Sequence, residues 1–279
     1  MKPVIVMQMD FGMGGGSAMY GTIKKVDPEL EVFECKYVVD KFNTREASRH
    51  LNNMVAYWPK GTIFVSVVDP GVGTSRRASV AKLKNGSYVV TPDNGSLSQL
   101  CETIGVESIR VIDETRNRLK GTEKVSIFHG RDLFAYCAAK LASGIIDFEG
   151  VGEEYPVSEI VKNEELKCEV SEGKVTGYVA SMMKEFGNLE TSIGIDMAEK
   201  AGLKTGEKVH ILIRHGQDVI VDNLIPYCAS FGWVELGEEV LYNSSDGVLG
   251  IGINQGNYIE KYHIEIGTDW TVTVSGEDA

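Results

Sequence analysis

The sequence predicts an α/β domain, arranged as an α/β/α sandwich, followed by an antiparallel β-barrel domain. Three observations carry this. The first half alternates β-type runs with helical runs, which implies a sheet covered by helices. Residues 153–168 are acidic and poor in large apolar side chains, and read as a linker. Beyond them the helical pattern nearly vanishes, and short strands recur between Gly and Asn turns. The expected domains are therefore 1–152 and 169–279. The chain has 279 residues, 43% of them hydrophobic and 24% charged, enough apolar material for a core and too much for a disordered chain.

Val4–Met9 reads as a buried strand ending at Asp10. A glycine-rich turn follows, and Ser17 is placed to cap a helix running to about Val26. Leu30–Tyr37 is a second strand. Thr44 caps a helix in which Ala47, Leu51, Met54 and Val55 share one face. Thr62–Val68 is a β-branched strand that runs into the loop Asp69–Arg77. Ser79–Leu83 and Ser87–Thr91 flank Asn85-Gly86, a hairpin signal. Gly130–Leu141 reads as a helix with Gly144 past its end. In the second half, Val175–Ser181, Lys208–Ile213, Asp218–Val221, Glu239–Tyr242, Val248–Ile253 and Trp270–Val274 read as strands.

The formal charge of −12 disfavours nucleic acid and anionic membrane surfaces as partners. The five cysteines form no CxxC pair, so neither a zinc knuckle nor a thioredoxin-type site is expected. His210 and His215 lie an odd number of residues apart in a strand pattern and do not suggest a metal pair. No metal site is expected. The apolar run at the N-terminus is too short for a signal peptide, and no stretch approaches the ~20 apolar residues of a membrane span. The expected location is the cytoplasm.

Three clusters in the first half carry candidate chemistry. Gly12-Met13-Gly14-Gly15-Gly16-Ser17 follows a strand, as a dinucleotide loop would, but Asp10 stands where a pyrophosphate would approach. No Gly-Lys-Ser/Thr follows to make a phosphate loop. Asp10 at a strand's C-terminal end suits a ribose diol, because a carboxylate accepts two hydroxyl hydrogen bonds; a turn-stabilising Asp is the plainer alternative. Asp69, followed by Pro70, Gly71 and then Arg76 and Arg77, sits at a second strand mouth, as a site residue or as half of a structural ion pair. Phe128-His129-Gly130-Arg131-Asp132 puts a His at a helix start, where catalysis and helix capping are both open. In the second half, Phe186-Gly187-Asn188 and Asn254-Gln255-Gly256-Asn257 pair aromatic and amide side chains. An amide both donates and accepts, so it can read an adenine edge or serve a turn.

Together the strings MDFG, VVDPGVGTSRR, TPDNGSL, FHGRD, EFGNLETSI and NSSDGVLGIGINQG resemble the S-adenosyl-L-methionine (SAM) hydrolases, also called SAM hydroxide adenosyltransferases. These are relatives of the fluorinating and chlorinating enzymes. The strings occur in the family's order across nearly the whole chain. The resemblance implies a homotrimer with substrate between neighbouring subunits, and conversion of SAM and water to adenosine and L-methionine without a cofactor. It implies a catalytic trio of Asp69, Arg76 and His129, and a ribose-binding Asp10. Further substrate-binding positions are Ser17, Phe42, Gly130, Phe186, Asn188, Phe231, Ser244, Ser245, Asn254 and Gln255. In the halogenating relatives, the positions of Asp69 and His129 are tyrosines and Gly130 is a serine, so hydrolysis is the expected reaction. Gly15 and Met183 stand where those relatives place acidic residues, and Asp246 is inserted in the NSSDG turn. These departures bear on the methionine end and leave another sulfonium nucleoside open. The competing readings are a SAM- or adenosine-binding protein without turnover, a SAM-dependent halogenase and, more distantly, a dinucleotide oxidoreductase.

Overall fold

The computed structural model describes residues 2–35, 39–164 and 167–277. The chain divides into two compact units, 1–164 and 165–279. The first unit contains β1 (Ile5–Met9), α1 (Met13–Val26), β2 (Val32–Glu34), α2 (Thr44–Tyr57), β3 (Ile63–Val67), β4 (Ala78–Leu83) and β5 (Tyr88–Pro92). It continues with α3 (Ser98–Glu102), β6 (Val106–Val111), α4 (Glu114–Asn117), a π-helical turn (Gly130–Ala135), α5 (Tyr136–Ala142) and β7 (Glu154–Tyr155). The sheet order is β2-β1-β3-β5-β4-β6-β7. The first four of these strands run parallel, and β4 turns back against both β5 and β6.

Strand alternation sorts the side chains into two layers. Ile5, Met7 and Met9 of β1 pack with Met19 and Ile23 of α1 and with Leu133 and Phe134 of the π-helical turn. Val6, on the opposite face, packs with Leu51, Met54 and Val55 of α2 and with Leu97 and Leu100. This is the expected helix–sheet–helix sandwich. The expected face of α2 is buried, Ala47 included. Its cap is Asn43, whose side chain accepts the Glu46 N–H at 3.1 Å, with Thr44 as the first helical residue.

Other expectations change as well. Gly12, not Ser17, is the N-cap of α1, because Gly14, Gly15 and Gly16 are themselves helical. Ser17 is therefore an exposed residue of the helix's second turn. The strand expected over 30–37 is β2 alone, and residues 36–38 lie outside the described residues. Within the segment read as a linker, Glu154–Tyr155 forms β7 against β6.

The second unit contains β8 (Glu169–Ser171), β9 (Lys174–Met183), β10 (Asn188–Gly194), α6 (Ile195–Lys200), β11 (Lys208–His215), β12 (Asp218–Cys228), β13 (Glu239–Asn243), β14 (Val248–Ile253), α7 (Tyr258–Tyr262) and β15 (Gly267–Gly276). Seven strands close a barrel in the order β10-β14-β13-β12-β11-β15-β9, with β9 pairing back to β10 and β8 appended to β9. Closure removes the free edges that an open sheet would leave. The pairing is antiparallel except between β12 and β13, where Tyr227 and Cys228 pair in parallel with Leu241 and Tyr242. The long connection between these two strands permits that crossing. Among the described residues no helix is long and apolar enough to cross a membrane.

Candidate active site

The parallel register of the first sheet sets the site. Met9 of β1 lies opposite Val67 of β3, so Asp10 and Asp69 leave neighbouring strands at the same, C-terminal edge. The loop after β3 then folds back. Val72 N–H bonds the Asp69 carbonyl at 3.2 Å, and the Thr74 N–H and hydroxyl bond the Gly71 carbonyl at 3.1 and 2.7 Å. Gly73, at φ +76°, passes the segment before His129 so closely that a Cβ there would stand 2.7 Å from the Ser126 carbonyl oxygen. This path returns Arg76 to Asp69.

Arg76 is the hub of the site. Its Nε donates to Asp69 Oδ1 and Oδ2 at 3.0 and 3.1 Å, and its Nη2 donates to Oδ2 at 2.5 Å. The same Nη2 meets His129 Nδ1 at 2.9 Å. Its guanidinium also stands 5.3 Å from the centre of the Phe134 ring. The pair is mostly buried, with the Arg76 and Asp69 side chains 10% and 5% exposed. A guanidinium has no lone pair to offer, so His129 Nδ1 must accept, and a neutral His129 carries its proton on Nε2. Burial, reinforced by the positive charge of Arg76, holds the His129 pKa below its usual value. The ring is therefore neutral near pH 7, with Nε2–H as a donor.

Asp69 and His129 border a cavity of about 460 Å³, lined by Asp10, Phe11, Lys41, Phe42, Val67, Asp69, Val72, Ile127, Phe128, His129 and Gly130. Asp10 Oδ2 accepts the Phe42 N–H at 2.8 Å. Phe42 adopts φ +68°, an uncommon conformation for a bulky residue, and is 67% exposed. Gly130 keeps the wall close: a Cβ there would lie 3.3 Å from both Phe11 Cζ and Val67 Cγ1. Of the first-half candidates, Asp10, Phe42, Asp69, His129 and Gly130 line this one space, and Arg76 joins it through its bonds. Ser17 does not line it.

Two contributors escaped the sequence reading. Asn94, in the TPDNGSL string, donates its side-chain N–H to the Val68 carbonyl at 2.9 Å, pinning the backbone just before Asp69. Phe11 lines the cavity and meets Phe128 edge-on, ring centres 5.8 Å apart. A hydrophobic residue between a strand and a glycine run gives no signal of either role.

The matching positions of the second unit divide between two places. Asn188 precedes Leu189, which pairs with Ile251 of β14, so Asn188 and Asn254 share one end of the β13–β14 hairpin, while Ser244 and Ser245 follow β13 at the other. Asn188 is buried with Oδ1 lacking a hydrogen-bond partner, in space that a Cβ on Gly252 would fill. Asn254 is occupied by the connection between β12 and β13, donating its side chain to the Val234 carbonyl at 2.7 Å. Gln255, at φ +54°, and Ser245 are exposed. Phe186 is 65% exposed, and Phe231 meets Tyr242 edge-on at 5.5 Å. Buried Ser244 donates its hydroxyl to buried Glu190, a residue the sequence reading did not single out.

The family model described as the SAM hydroxide adenosyltransferase N-terminal domain matches residues 5–152, and that of the C-terminal domain matches residues 182–271. The chain belongs to the SAM hydroxide adenosyltransferase family. A relative named (R)-S-adenosyl-L-methionine hydrolase, from Methanocaldococcus jannaschii, is 31% identical over 218 residues, 76% of this chain and 74% of its own. A fluorinase from Actinopolyspora mzabensis is 25% identical over 300 residues, 98% of each chain. The crystal structure of an uncharacterized conserved protein from Thermotoga maritima superposes with a TM-score of 0.87 at 32% identity, covering 98% of this chain and all of that one. This family member places Asp69, rather than an uncharged side chain, on the wall of its first-unit cavity.

Proposed function

We propose that this protein hydrolyses SAM at C5′, giving adenosine and L-methionine. The observation that carries the reading is the bonded set Asp69–Arg76–His129 on an apolar-walled cavity with Asp10 at its edge. Asp10 takes the ribose diol. The substrate's sulfonium makes methionine a good leaving group, so the reaction needs no cofactor. A water oxygen attacks C5′, the C5′–S bond breaks, and its electron pair neutralises sulfur. His129, donating from Nε2, orients the water, and Asp69 receives its proton. Arg76 fixes both partners and favours hydroxide character in the water. Holding water in line contributes up to ~7–11 kcal/mol in well-oriented systems. A hydroxide-like nucleophile and a sulfonium lose charge as they react, so dry walls favour the step.

The reading extends to a homotrimer in the cytoplasm, with Phe186, Asn188, Phe231, Ser244, Ser245, Asn254 and Gln255 holding the adenine and methionine ends where subunits meet. Light scattering tests the trimer. A halogenase is disfavoured by the Asp69 carboxylate, which repels a halide at the position of attack. Another sulfonium nucleoside stays in play, because neither Gly15 nor Met183 brings a carboxylate to an ammonium group. Incubation with SAM, followed by chromatography, is expected to give equal adenosine and methionine, lost in Asp69→Ala. Intact SAM bound without products supports a binding protein instead.

A further inference from the structure

We propose that Phe11 confines the nucleophile to a single water: its ring, seated between Gly15 and Gly130, walls off the space beside Asp69 and His129. The inference rests on the hydrolase reading above. Phe11 directly follows Asp10 and lines the same cavity as Asp69, His129 and Gly130. Its ring is fixed on three sides. The Phe128 ring meets it edge-on, with ring planes 86° apart. A Cβ on Gly130 would stand 3.3 Å from Phe11 Cζ. A Cβ on Gly15 would stand 2.5 Å from Cδ2 and 2.8 Å from Cε2, so the ring and any side chain at 15 compete for one volume. Two helix starts, those of α1 and of the π-helical turn, thus omit their side chains where this ring lies. An aromatic wall has no group to hold a second water, and its bulk leaves no room for a larger nucleophile. Gly15 acts through the ring and is a positioning residue.

Methanol is the probe, because it is neutral, reacts as water does and is larger by one methyl group. Its oxygen attacks C5′, the C5′–S bond breaks with its electron pair going to sulfur, and the hydroxyl proton passes to Asp69. The products are 5′-O-methyladenosine and methionine. In aqueous methanol the wild type is expected to form adenosine almost alone. Phe11→Ala is expected to raise the ratio of ether to adenosine at least about tenfold, the scale on which a pocket discriminates a methyl-sized group. Its kcat falls while its KM for SAM stays near the wild-type value. Gly15→Ala removes no cavity-lining side chain and is expected to lower kcat through the displaced ring. The double variant loses no more than Phe11→Ala alone, since the two share one ring. An unchanged ether ratio in a Phe11→Ala protein that melts cooperatively overturns the proposal, as do additive losses in the double variant. If Phe11→Ala does not fold, Phe11→Leu carries the same comparison. Wild-type protein that releases no adenosine contradicts the hydrolase reading itself, and this inference falls with it; wild-type turnover with an unmoved ratio contradicts only the role of Phe11.

Discussion

The first unit gathers its candidate residues, Ser17 excepted, around one cavity, whereas the second spreads its own over both ends of a hairpin. The cause is strand direction. Parallel neighbours β1 and β3 both finish at the same edge, so the residues following them, Asp10 and Asp69, emerge side by side. Antiparallel neighbours β13 and β14 finish at opposite edges, so Ser244 and Asn254 are separated by the hairpin's length. A single parallel edge suits chemistry, where groups must touch. A barrel rim suits recognition of a long ligand whose ends are read apart. The bonding agrees: Asp69, Arg76 and His129 bond one another, while Asn254 bonds the Val234 carbonyl in the connection before β13.

This contrast breaks most readily at Arg76. Arg76→Leu leaves Asp69 buried without its partner and His129 without its donor. The expected loss is on the order of 10³-fold in kcat/KM with ~3 kcal/mol of stability, read by turnover and urea melts. A comparable loss of kcat from Asn254→Ala would erase the distinction between the units. His129→Ala is expected to lower kcat about 100-fold, mainly through the misoriented water. The pH profile sharpens the same point. The His129 pKa is lowered in the folded protein, so the ring keeps its Nδ1 acceptor at neutral pH and loses it on protonation. Activity therefore falls on the acid side, with a midpoint below the ordinary histidine value of about 6.5; a midpoint above that value would contradict the neutral, accepting ring.

The second unit should behave differently. Asn188→Ala is expected to raise KM about tenfold, or ~1.4 kcal/mol, with kcat nearly unchanged. A kcat effect without a KM effect would place Asn188 with the chemistry. Gly130→Ser should give the smallest change, about 1 kcal/mol of overpacking against Phe11 and Val67, seen as a lower melting temperature.

The sandwich was legible because β1 and β3 are short apolar runs buried on both faces and α2 carries a helical apolar face, and Asp10, Asp69 and His129 were legible as polar residues at element ends. The barrel was legible as a class, but β10 was not, because Glu190 and Thr191 interrupt its apolar alternation; both are buried, and both hydrogen-bond within the barrel. Ser17 misled because helix propensity puts glycines outside helices, whereas Gly14, Gly15 and Gly16 all lie inside α1, Gly15 leaving room for the Phe11 ring. Phe11 and Asn94 were illegible for a related reason. Their roles depend on what lies opposite them across the fold, and local pattern does not record that.

The most direct test is hydrolysis of SAM in water enriched in ¹⁸O, with mass spectrometry of both products. Attack of water at C5′ predicts one ¹⁸O atom in adenosine, on the 5′-hydroxyl, and none in methionine. Adenosine without label, or a nucleoside product lacking the 5′-oxygen, would contradict the account.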